Sequence, residues 1–385
     1  MKKQKPALCG LPAFADIAGE NMNELYNVND GIADATAVLQ KLLDKGGIVE
    51  IPQGSYRETS TLYIHSDTFI SAHRQARFFM CGDTPKASGD FLISNSDTEN
   101  GNVNISVTGG IWDGNNQGRM NDKKDIFDLS GYSGAVMNFC NVKRLELRSM
   151  ILANSVTYNI RMARIDDFLI EDIGFISDVP AYNQDGLHFN GECRNGTIRR
   201  ITALSNGQTN DDMIAFNADD SLERVENVGM VRGNIENITV EDVYAENCHT
   251  IIRLLSVTSA IRNISIKNVW GGYRCYAVNA DAARYCRTPL FNDAEYPKGV
   301  GLIENVIIDG FFCRSLNNTA AVVLESNCRN FMVRNFRMSA SFQNFHALEV
   351  KNIAPSLIIA DGKSYRLSGK TDKLVLERFS EIKIN

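Results

Sequence analysis

The stretch Glu236-Asn237-Ile238-Thr239-Val240 returns in altered form as Arg262-Asn263-Ile264-Ser265-Ile266, and its asparagine moves by 26 residues. Both stretches alternate apolar and polar residues after the asparagine, which is typical of a strand that buries one face. Six more stretches have this form, at residues 102–107, 141–147, 164–170, 195–198, 303–308 and 329–333. A repeat of roughly 20–50 residues made of short strands indicates a solenoid.

The repeated unit is predicted to be a strand–turn–strand coil, with Asn and Gly supplying the bends. The chain has 385 residues, which is long for one ordinary core, but a solenoid grows by adding coils. Long helical stretches and interior linkers are both missing from the sequence. We therefore predict an all-β fold, with a single parallel β-helix (β-solenoid) domain over residues 1–385.

Residues 30–46 are predicted to cover the open N-terminal end of this solenoid. Asp34 is placed to cap a helix over residues 35–45, whose leucines fall on one face and which Gly46-Gly47 ends. An uncovered solenoid end exposes unpaired strand edges, which invite aggregation. The N-terminal helix is therefore predicted to be structural.

Charge and hydropathy restrict the partners and the location of the protein. The formal net charge of −6 argues against a nucleic-acid partner, and no apolar run reaches membrane-spanning length. The basic residues 1–5 precede a short apolar stretch that Pro6 and Pro12 interrupt. No signal peptide is therefore predicted and a cytoplasmic location is favoured, although Ala13-Phe14-Ala15 resembles a cleavage site and leaves secretion open. The nine cysteines fit no metal or disulfide spacing, which indicates buried thiols.

Three aspartates stand one repeat apart in the middle of the chain. Asp185 precedes Asp211 by 26 residues, and Asp212 follows directly. One coil of that length places the carboxylates on neighbouring strands, roughly 4.8 Å apart. Carboxylates that close push each other's pKa values apart, so one site can hold both an acid and a base. The alternative is that all three are turn residues of a solenoid.

The alternation of strand residues predicts which other side chains face the aspartates. Counting from the apolar inward positions, His188, Asn217, Arg253 and Arg161 point outward on the same surface as Asp185. The two arginines are predicted either to bind a sugar carboxylate or to tune the aspartates. Ion pairing between coils, without a role in a site, is the alternative.

The sequence resembles the polygalacturonases, glycoside hydrolase family 28, within the pectin-lyase-like right-handed parallel β-helices. Asn183-Gln184-Asp185-Gly186 is similar to the family's Asn-Thr-Asp motif, with Gln in place of Thr. Asn210-Asp211-Asp212 is similar to Gly-Asp-Asp, with Asn in place of Gly. His249-Thr250 is similar to His-Gly. The segments 29–54 and 109–115 also resemble the first coil and a Gly-x-Ile-Asp-Gly turn of the family.

The resemblance implies an inverting glycosidase. In this interpretation Asp211 protonates the leaving oxygen, Asp185 and Asp212 activate the attacking water, and His249 supports the acid. Asn183 enters the predicted site as part of its motif. The partner implied is a carbohydrate, and no cofactor and no metal are predicted. The oligomeric state is left open, with a monomer favoured.

Two departures from the family leave the substrate open. His188 stands where the polygalacturonases carry another Asp, and no Arg-x-Lys element occurs near residues 276–280, where Arg274 is out of register. A pectic or related oligo- or polysaccharide is predicted, with or without uronate. A calcium-dependent polysaccharide lyase, in which the aspartates bind calcium and Arg253 is the base, is a second hypothesis. A non-catalytic carbohydrate-binding solenoid is a third.

Overall fold

The computed structural model describes residues 23–82, 91–119, 134–219, 231–281 and 301–340 except 318, 325 and 327, together with five short strands after residue 347. The first helix, α1, is Thr36–Leu43 and the second, α2, is Asn116–Arg119. The strands are β1 Asp30–Asp34, β2 Gly47–Ile51, β3 Gly54–Glu58, β4 Leu62–Ile64, β5 Thr68–Ala72, β6 Ala76–Met80, β7 Ile93–Asn95, β8 Asn102–Thr108, β9 Ile111–Asp113, β10 Met137–Ala153, β11 Ile160–Ile176, β12 Leu187–Phe189, β13 Arg194–Ala203, β14 Asp212–Asn217, β15 Ile235–Leu255, β16 Ala260–Asp281, β17 Leu302–Ser315, β18 Val322–Leu324, β19 Cys328–Ala340, β20 Leu348–Val350, β21 Leu357–Ala360, β22 Lys363–Arg366, β23 Lys373–Glu377 and β24 Ser380–Lys383. Within the described ranges, no helix is long and apolar enough to cross a membrane.

The strands stack coil upon coil in parallel. Residues of β13 lie level with residues of β15, those of β15 with β16, and those of β16 with β17. Among the described strands, the pairing of β21 with β22 is antiparallel and the other pairings are parallel. The prediction of an all-β chain of stacked parallel strands is confirmed. A single domain over residues 1–385 stays a prediction.

The longest strands are continuous because they bend at residues with left-handed backbone. Five of these bends form a column that we call the asparagine ladder: Asn195, Asn237, Asn263, Asn305 and Asn330, with φ between 48° and 60°. From Asn237 onward, each side-chain Nδ2 donates to the Oδ1 of the asparagine one coil earlier, at 2.9–3.1 Å. Asn tolerates the left-handed region better than most residues, and its amide can both donate and accept. The asparagines that mark the repeat in the sequence are therefore its bends.

The interior is filled by side chains that stack in the same columns as the strands. Phe168, Phe189 and Phe216 are all at least 96% buried, and successive ring centroids lie 5.3 Å apart. Tilted or offset aromatic pairs at this spacing add to the free energy of burial. The core is thus continuous along the stack, which holds neighbouring coils in fixed register.

The N-terminal helix α1 is shorter than the predicted span of 35–45. The N-cap is Ala35 and not Asp34 as predicted. Asp34 precedes the cap, and its Oδ1 accepts a hydrogen bond from the Thr36 amide at 3.0 Å. The helix packs its three leucines, Leu39, Leu42 and Leu43, into the core. Gly46 and Gly47 follow with φ of 64° and 72°, as a helix end requires. The predicted absence of a signal peptide concerns residues that lie outside the described ranges.

Candidate active site

The parallel register brings the predicted outward residues into one column. Arg161 on β11 lies level with His188 on β12, His188 lies level with Ala215 on β14, and Ala215 lies level with Arg253 on β15. Asp185 stands just before β12, and Asp212 begins β14. The structure therefore places these side chains on one face of four successive coils.

Asp185 is 3% exposed and makes a close contact with an imidazole. The His188 Nδ1 lies 2.5 Å from the Asp185 Oδ2, and the Asn190 Nδ2 lies 3.1 Å from the His188 Nε2. Burial, with the positive charges of Arg161 and Arg253, lowers the pKa of His188 to about 3, so the ring is neutral. Burial, and then the charges of Asp211 and Asp212, raise the pKa of Asp185 well above its usual value.

Asp211 forms a separate pair with the second predicted histidine. The His249 Nδ1 lies 3.3 Å from the Asp211 Oδ1. The hydrogen bond to Asp211, and then one to Cys275, raise the pKa of His249 to about 10. Burial acts to raise the pKa of Asp211, but the hydrogen bond and charge of His249 outweigh it and hold that pKa below its usual value. At neutral pH the pair is therefore an imidazolium and a carboxylate that share one proton between them.

Asp212 is held by a guanidinium that also holds a second buried carboxylate. The Arg253 Nη1 lies 3.1 Å from the Asp212 Oδ2, and its Nη2 lies 3.1 Å from the Oδ2 of Asp281. Asp281 is fully buried at the end of β16. Burial raises the pKa of Asp212, and the charge of Arg253 opposes that rise. Because both ends of the guanidinium carry a carboxylate, the geometry favours a role in tuning Asp212 over the binding of a sugar carboxylate.

Arg161 lies beside this cluster and is 2% exposed. Its Nε donates to the Asn138 Oδ1 at 3.0 Å, and its guanidinium carbon lies 5.2 Å from the ring centre of Phe91. Burial lowers the pKa of Arg161 to about 10, which still leaves it charged at neutral pH. The column thus continues past His188 with a buried cation and a polar neighbour.

Two of the motif positions that differ from the polygalacturonase pattern, Gln184 and Asn210, hold loops in place. The fully buried Gln184 accepts a hydrogen bond from the Ala181 amide at 2.7 Å and donates to the Ser155 carbonyl at 2.6 Å. Asn210 donates to the Ala181 carbonyl at 2.9 Å and accepts from Arg274 at 2.7 Å. These bonds fix the loops that carry Asp185 and Asp211. Arg274 therefore helps to hold the loop that carries Asp211.

The remaining predicted residues lie at the edges of the cluster. Asn183 occupies a left-handed bend, φ 57°, two residues before Asp185. Asn217 is buried at the end of β14, level with Leu255, which in turn lies level with Asp281. Their part in the site stays a prediction, as do the catalytic and binding roles of the other predicted residues.

Sequence reasoning missed several neighbours of the aspartates. Asp281, Cys275 and Asn138 contact predicted site residues, and the Tyr158 ring stacks on His188 at 4.0 Å between centres. Asp281 had a usable signal, since it follows Arg253 by 28 residues, close to one coil. Tyr158 had none, because it lies in the loop before β11, where strand alternation does not apply.

Asp211, Asp212 and His249 form the group of metal-binding type among the described residues. One ligand atom from each lies within 4.8 Å of the others. Calcium takes six to eight oxygen ligands, whereas this group offers two carboxylates and an imidazole. Metal binding at His249 would also have to displace the proton that Asp211 stabilises there. The donor set is therefore a poor match for calcium.

Known structures resemble this chain in fold, although no protein-family model and no curated protein matches its sequence. The Streptococcus pneumoniae surface protein and adhesin PfbA is 14% identical with a TM-score of 0.60, covering 94% of this chain and 98% of that one. The A-module of the Azotobacter vinelandii mannuronan C-5 epimerase AlgE6 is 10% identical with a TM-score of 0.55, covering 94% and 99%. A Yersinia enterocolitica family 28 exopolygalacturonase is 14% identical, covers 91% and 77%, and reaches a TM-score of 0.48. The first two likenesses, with TM-scores above 0.5, indicate a shared fold. At these identities they show the fold alone.

Proposed function

We propose that this protein is a glycoside hydrolase of the polygalacturonase type, wound as a right-handed β-helix, that cleaves a pectic or related polysaccharide with inversion. One observation carries the proposal: three clustered aspartates, each with a different nitrogen partner, meet on the outer face of neighbouring coils. Two of them are almost fully buried. Burying several like charges destabilises a fold, so such a cluster with shifted pKa values is typical of a catalytic site.

Asp211 and His249 together supply the proton. In the free protein the proton resides on His249, whose pKa is raised to about 10, while the pKa of Asp211 is lowered. A carboxyl group that acted as the acid alone would instead have a raised pKa. As the glycosidic bond breaks, the proton moves from His249 to Asp211 and from Asp211 to the leaving oxygen, so Asp211 ends ionised and His249 neutral. The pair keeps this proton throughout neutral pH, as a general acid must.

Asp212 and Asp185 act on the water at the other side of the bond. The charge of Arg253 favours the ionised form of Asp212, so Asp212 takes one proton as the water oxygen attacks the sugar carbon. Asp185, fixed by the neutral His188, accepts the second hydrogen bond of that water. The C–O bond to the leaving group breaks, and the new C–O bond forms with inverted configuration.

Arg161 is the residue through which a uronate would be recognised. It is charged, buried and next in the column to His188, so a carboxylate that reached it would be bound with little competition from water. Arg253 is less suited, because it already holds Asp212 and Asp281. A substrate with a uronate in reach of Arg161 is therefore proposed over a wholly neutral one.

The calcium-dependent lyase is the second candidate, because Asp211, Asp212 and His249 bring three ligand atoms together, although this donor set suits calcium poorly. It requires a base to remove a proton from carbon. The base predicted for it, Arg253, bridges two carboxylates that stabilise its protonated form. The hydrolase is preferred for that reason.

Product analysis tests the proposal directly. The protein is incubated with oligogalacturonates and with neutral oligosaccharides, with and without a chelator, and the products are weighed by mass spectrometry. We expect products heavier by one water, unaffected by the chelator, with the new anomer inverted by proton NMR. Asp211→Asn should be inactive, while Asp242→Asn, at an outer bend, serves as the matched control. Unsaturated products that the chelator abolishes would support the lyase.

A further inference from the structure

Three aromatic side chains form an outward-facing column away from the aspartates. Tyr244 on β15 lies level with Trp270 on β16, and Trp270 lies level with Phe312 on β17. Their exposed fractions are 39%, 38% and 41%, whereas the residues just before them, at positions 243, 269 and 311, are fully buried. We call these three residues the aromatic stripe. They lie on three successive coils, so the stripe runs along the axis of the stack.

The aromatic stripe is on a different face from the candidate active site. Tyr244 and Arg253 belong to the same strand, β15, but its register shifts on either side of Cys248, between the two residues. The column of Tyr244 and the column of Arg253 are thus separated by this break in register and by nine residues of the strand. A ligand on the stripe would therefore not lie in the catalytic cluster.

Hydrogen-bonding groups line one edge of the aromatic stripe. The Tyr244 hydroxyl donates to the Glu246 Oε2 at 2.5 Å, and Arg314 donates to the Glu246 Oε1 at 2.8 Å. Gly272 lies on the coil between them and has no side chain to block that ion pair. At the end of the stripe, the guanidinium carbon of Arg337 lies 5.9 Å from the ring centre of Phe312. The stripe is thus an apolar strip with a polar edge.

The exposed area of the aromatic stripe indicates whether it binds a protein or a narrower ligand. With about 150–250 Å² of surface for each side chain, two-fifths exposure leaves roughly 240 Å² for all three. A stable protein interface needs about 800 Å² from each partner. Neighbouring strands lie roughly 4.8 Å apart, so the three rings span about 10 Å. A strip this narrow and long fits an extended polymer better than a second copy of the chain.

We propose that the aromatic stripe binds an extended pyranose polysaccharide that runs along the coil axis. The C–H groups of a pyranose face carry partial positive charge and pack on the electron-rich face of an aromatic ring. The hydroxyl groups at the edge of the sugar then reach Glu246 and Arg314. The proposal rests on the proposed function only in taking a polysaccharide as the ligand. Binding remote from the cluster would hold a polymer at the protein between cleavage events.

Electrophoresis in native gels that contain a polysaccharide tests this site. Polygalacturonate and a neutral β-glucan are the probes, and the parent protein carries Asp211→Asn so that no gel is degraded. Trp270→Ala should raise the Kd for the polysaccharide, obtained from the retardation, about five- to tenfold. Trp270→Phe should keep most of the affinity. Phe69→Ala is the matched control, because Phe69 is also exposed on a strand but in an early coil. It should migrate like the parent.

The outcomes separate this proposal from the proposed function. Retardation that depends on Trp270 supports the stripe even if no substrate is ever cleaved. Equal retardation of the parent and Trp270→Ala, or a parent that neither gel retards, overturns it. A parent that sediments as a dimer and becomes monomeric with Trp270→Ala also overturns it, because a second copy would then occupy the stripe. Circular dichroism and thermal melting confirm that each variant is folded.

Discussion

The asparagine ladder and the column of the active site are both stacks of residues in register, but the ladder repeats one residue and the column does not. In the ladder, coil after coil carries the same residue at the same bend, and each amide bonds to the previous one. In the other column, Arg161, His188, Ala215 and Arg253 follow one another, so almost every rung differs. The ladder is exposed and neutral, whereas the column is buried and charged.

This difference teaches how a repeating fold acquires a site. A column in which asparagine repeats stabilises the stack of coils, because the side-chain amide of each residue forms a hydrogen bond with that of the next. A column that breaks the repeat and buries unlike charges destabilises the stack and is retained for another reason. Substitutions in the ladder should therefore change stability alone, and substitutions in the cluster should change chemistry first.

The sharpest contrast is expected from Asp211→Asn. The amide has nearly the same shape but cannot pass a proton, so we expect turnover to fall about 10²- to 10⁴-fold. The melting temperature should also fall, because the ion pair with His249 is lost, but the variant should stay folded since Asp211 is partly exposed. Steady-state kinetics on oligogalacturonates and thermal melting check both parts. Turnover close to that of the parent would rule out Asp211 as the acid.

Arg253→Gln and Asp281→Asn are expected to move the pH profile in opposite directions. Loss of Arg253 removes the charge that opposes the raised pKa of Asp212, so the acidic limb should move to higher pH. It also leaves two buried carboxylates without their cation, which should reduce stability by about 3–5 kcal/mol. Asp281→Asn leaves the Arg253 charge more available to Asp212, so its acidic limb should move to lower pH.

The measurement for this pair is the pH dependence of kcat, with urea unfolding of each variant beside it. Arg253→Lys is the control, since it keeps the charge but not the fork that reaches both carboxylates. Shifts of both acidic limbs in the same direction would contradict a guanidinium that couples Asp212 to Asp281.

His249→Gln should act on the alkaline side of the profile. Without the imidazolium the proton of the acid is held less firmly, so the alkaline limb should move to lower pH and turnover should fall less than in Asp211→Asn. The pKa of His249 is raised in the folded protein, to about 10 from 6.5, so its stabilisation is complete below about pH 6.5 and disappears as the pH rises to about 10.

Unfolding between pH 6 and 10 tests the stability part of this prediction. The parent should lose stability over that range, and His249→Gln should lose less of it. Identical pH dependence in the two proteins would contradict the pair. His65→Gln, an exposed histidine on an early coil, is the control.

The smallest effect is expected in the ladder. Asn263→Ala loses two exposed hydrogen bonds, one donated to Asn237 and one accepted from Asn305, and places an alanine at φ 59°. Together these changes should lower the free energy of unfolding by about 1–3 kcal/mol. Asn263→Gly loses both bonds but keeps a favourable backbone conformation, so it should lose less stability. Urea titrations and turnover assays compare the two. Any marked change in turnover would show that the ladder is linked to the site after all.

The sequence predicts well those features that the repeat itself records. The 26-residue step, the bends at asparagine and the outward direction of His188, Arg161 and Arg253 all follow from the alternation of apolar residues. The end of α1 was predicted two residues too late, since the helix ends at Leu43 and not at Lys45. Its start was missed by one residue, because Asp34 binds Thr36 through the side chain without being the cap itself.

The protonation states of the site residues could not be predicted from the sequence. Which of the three aspartates has a lowered pKa depends on burial, on the other aspartates and on the distances to Arg253, His249 and His188, and no spacing rule encodes these. Asp281 was not predicted for a different reason. A step of 26 residues leads from Arg253 to Asn279, whereas the guanidinium reaches Asp281, two residues further along the same strand.

The stacking of coils also has a consequence for how activity is gained during folding. Each coil contacts mainly its neighbours, so structure can spread along the chain in steps. The cluster, however, draws on Asn138 at one end and Asp281 at the other, and it is complete only when every coil between them has docked. During refolding, strand signal should therefore accumulate gradually, whereas turnover should appear late and all at once.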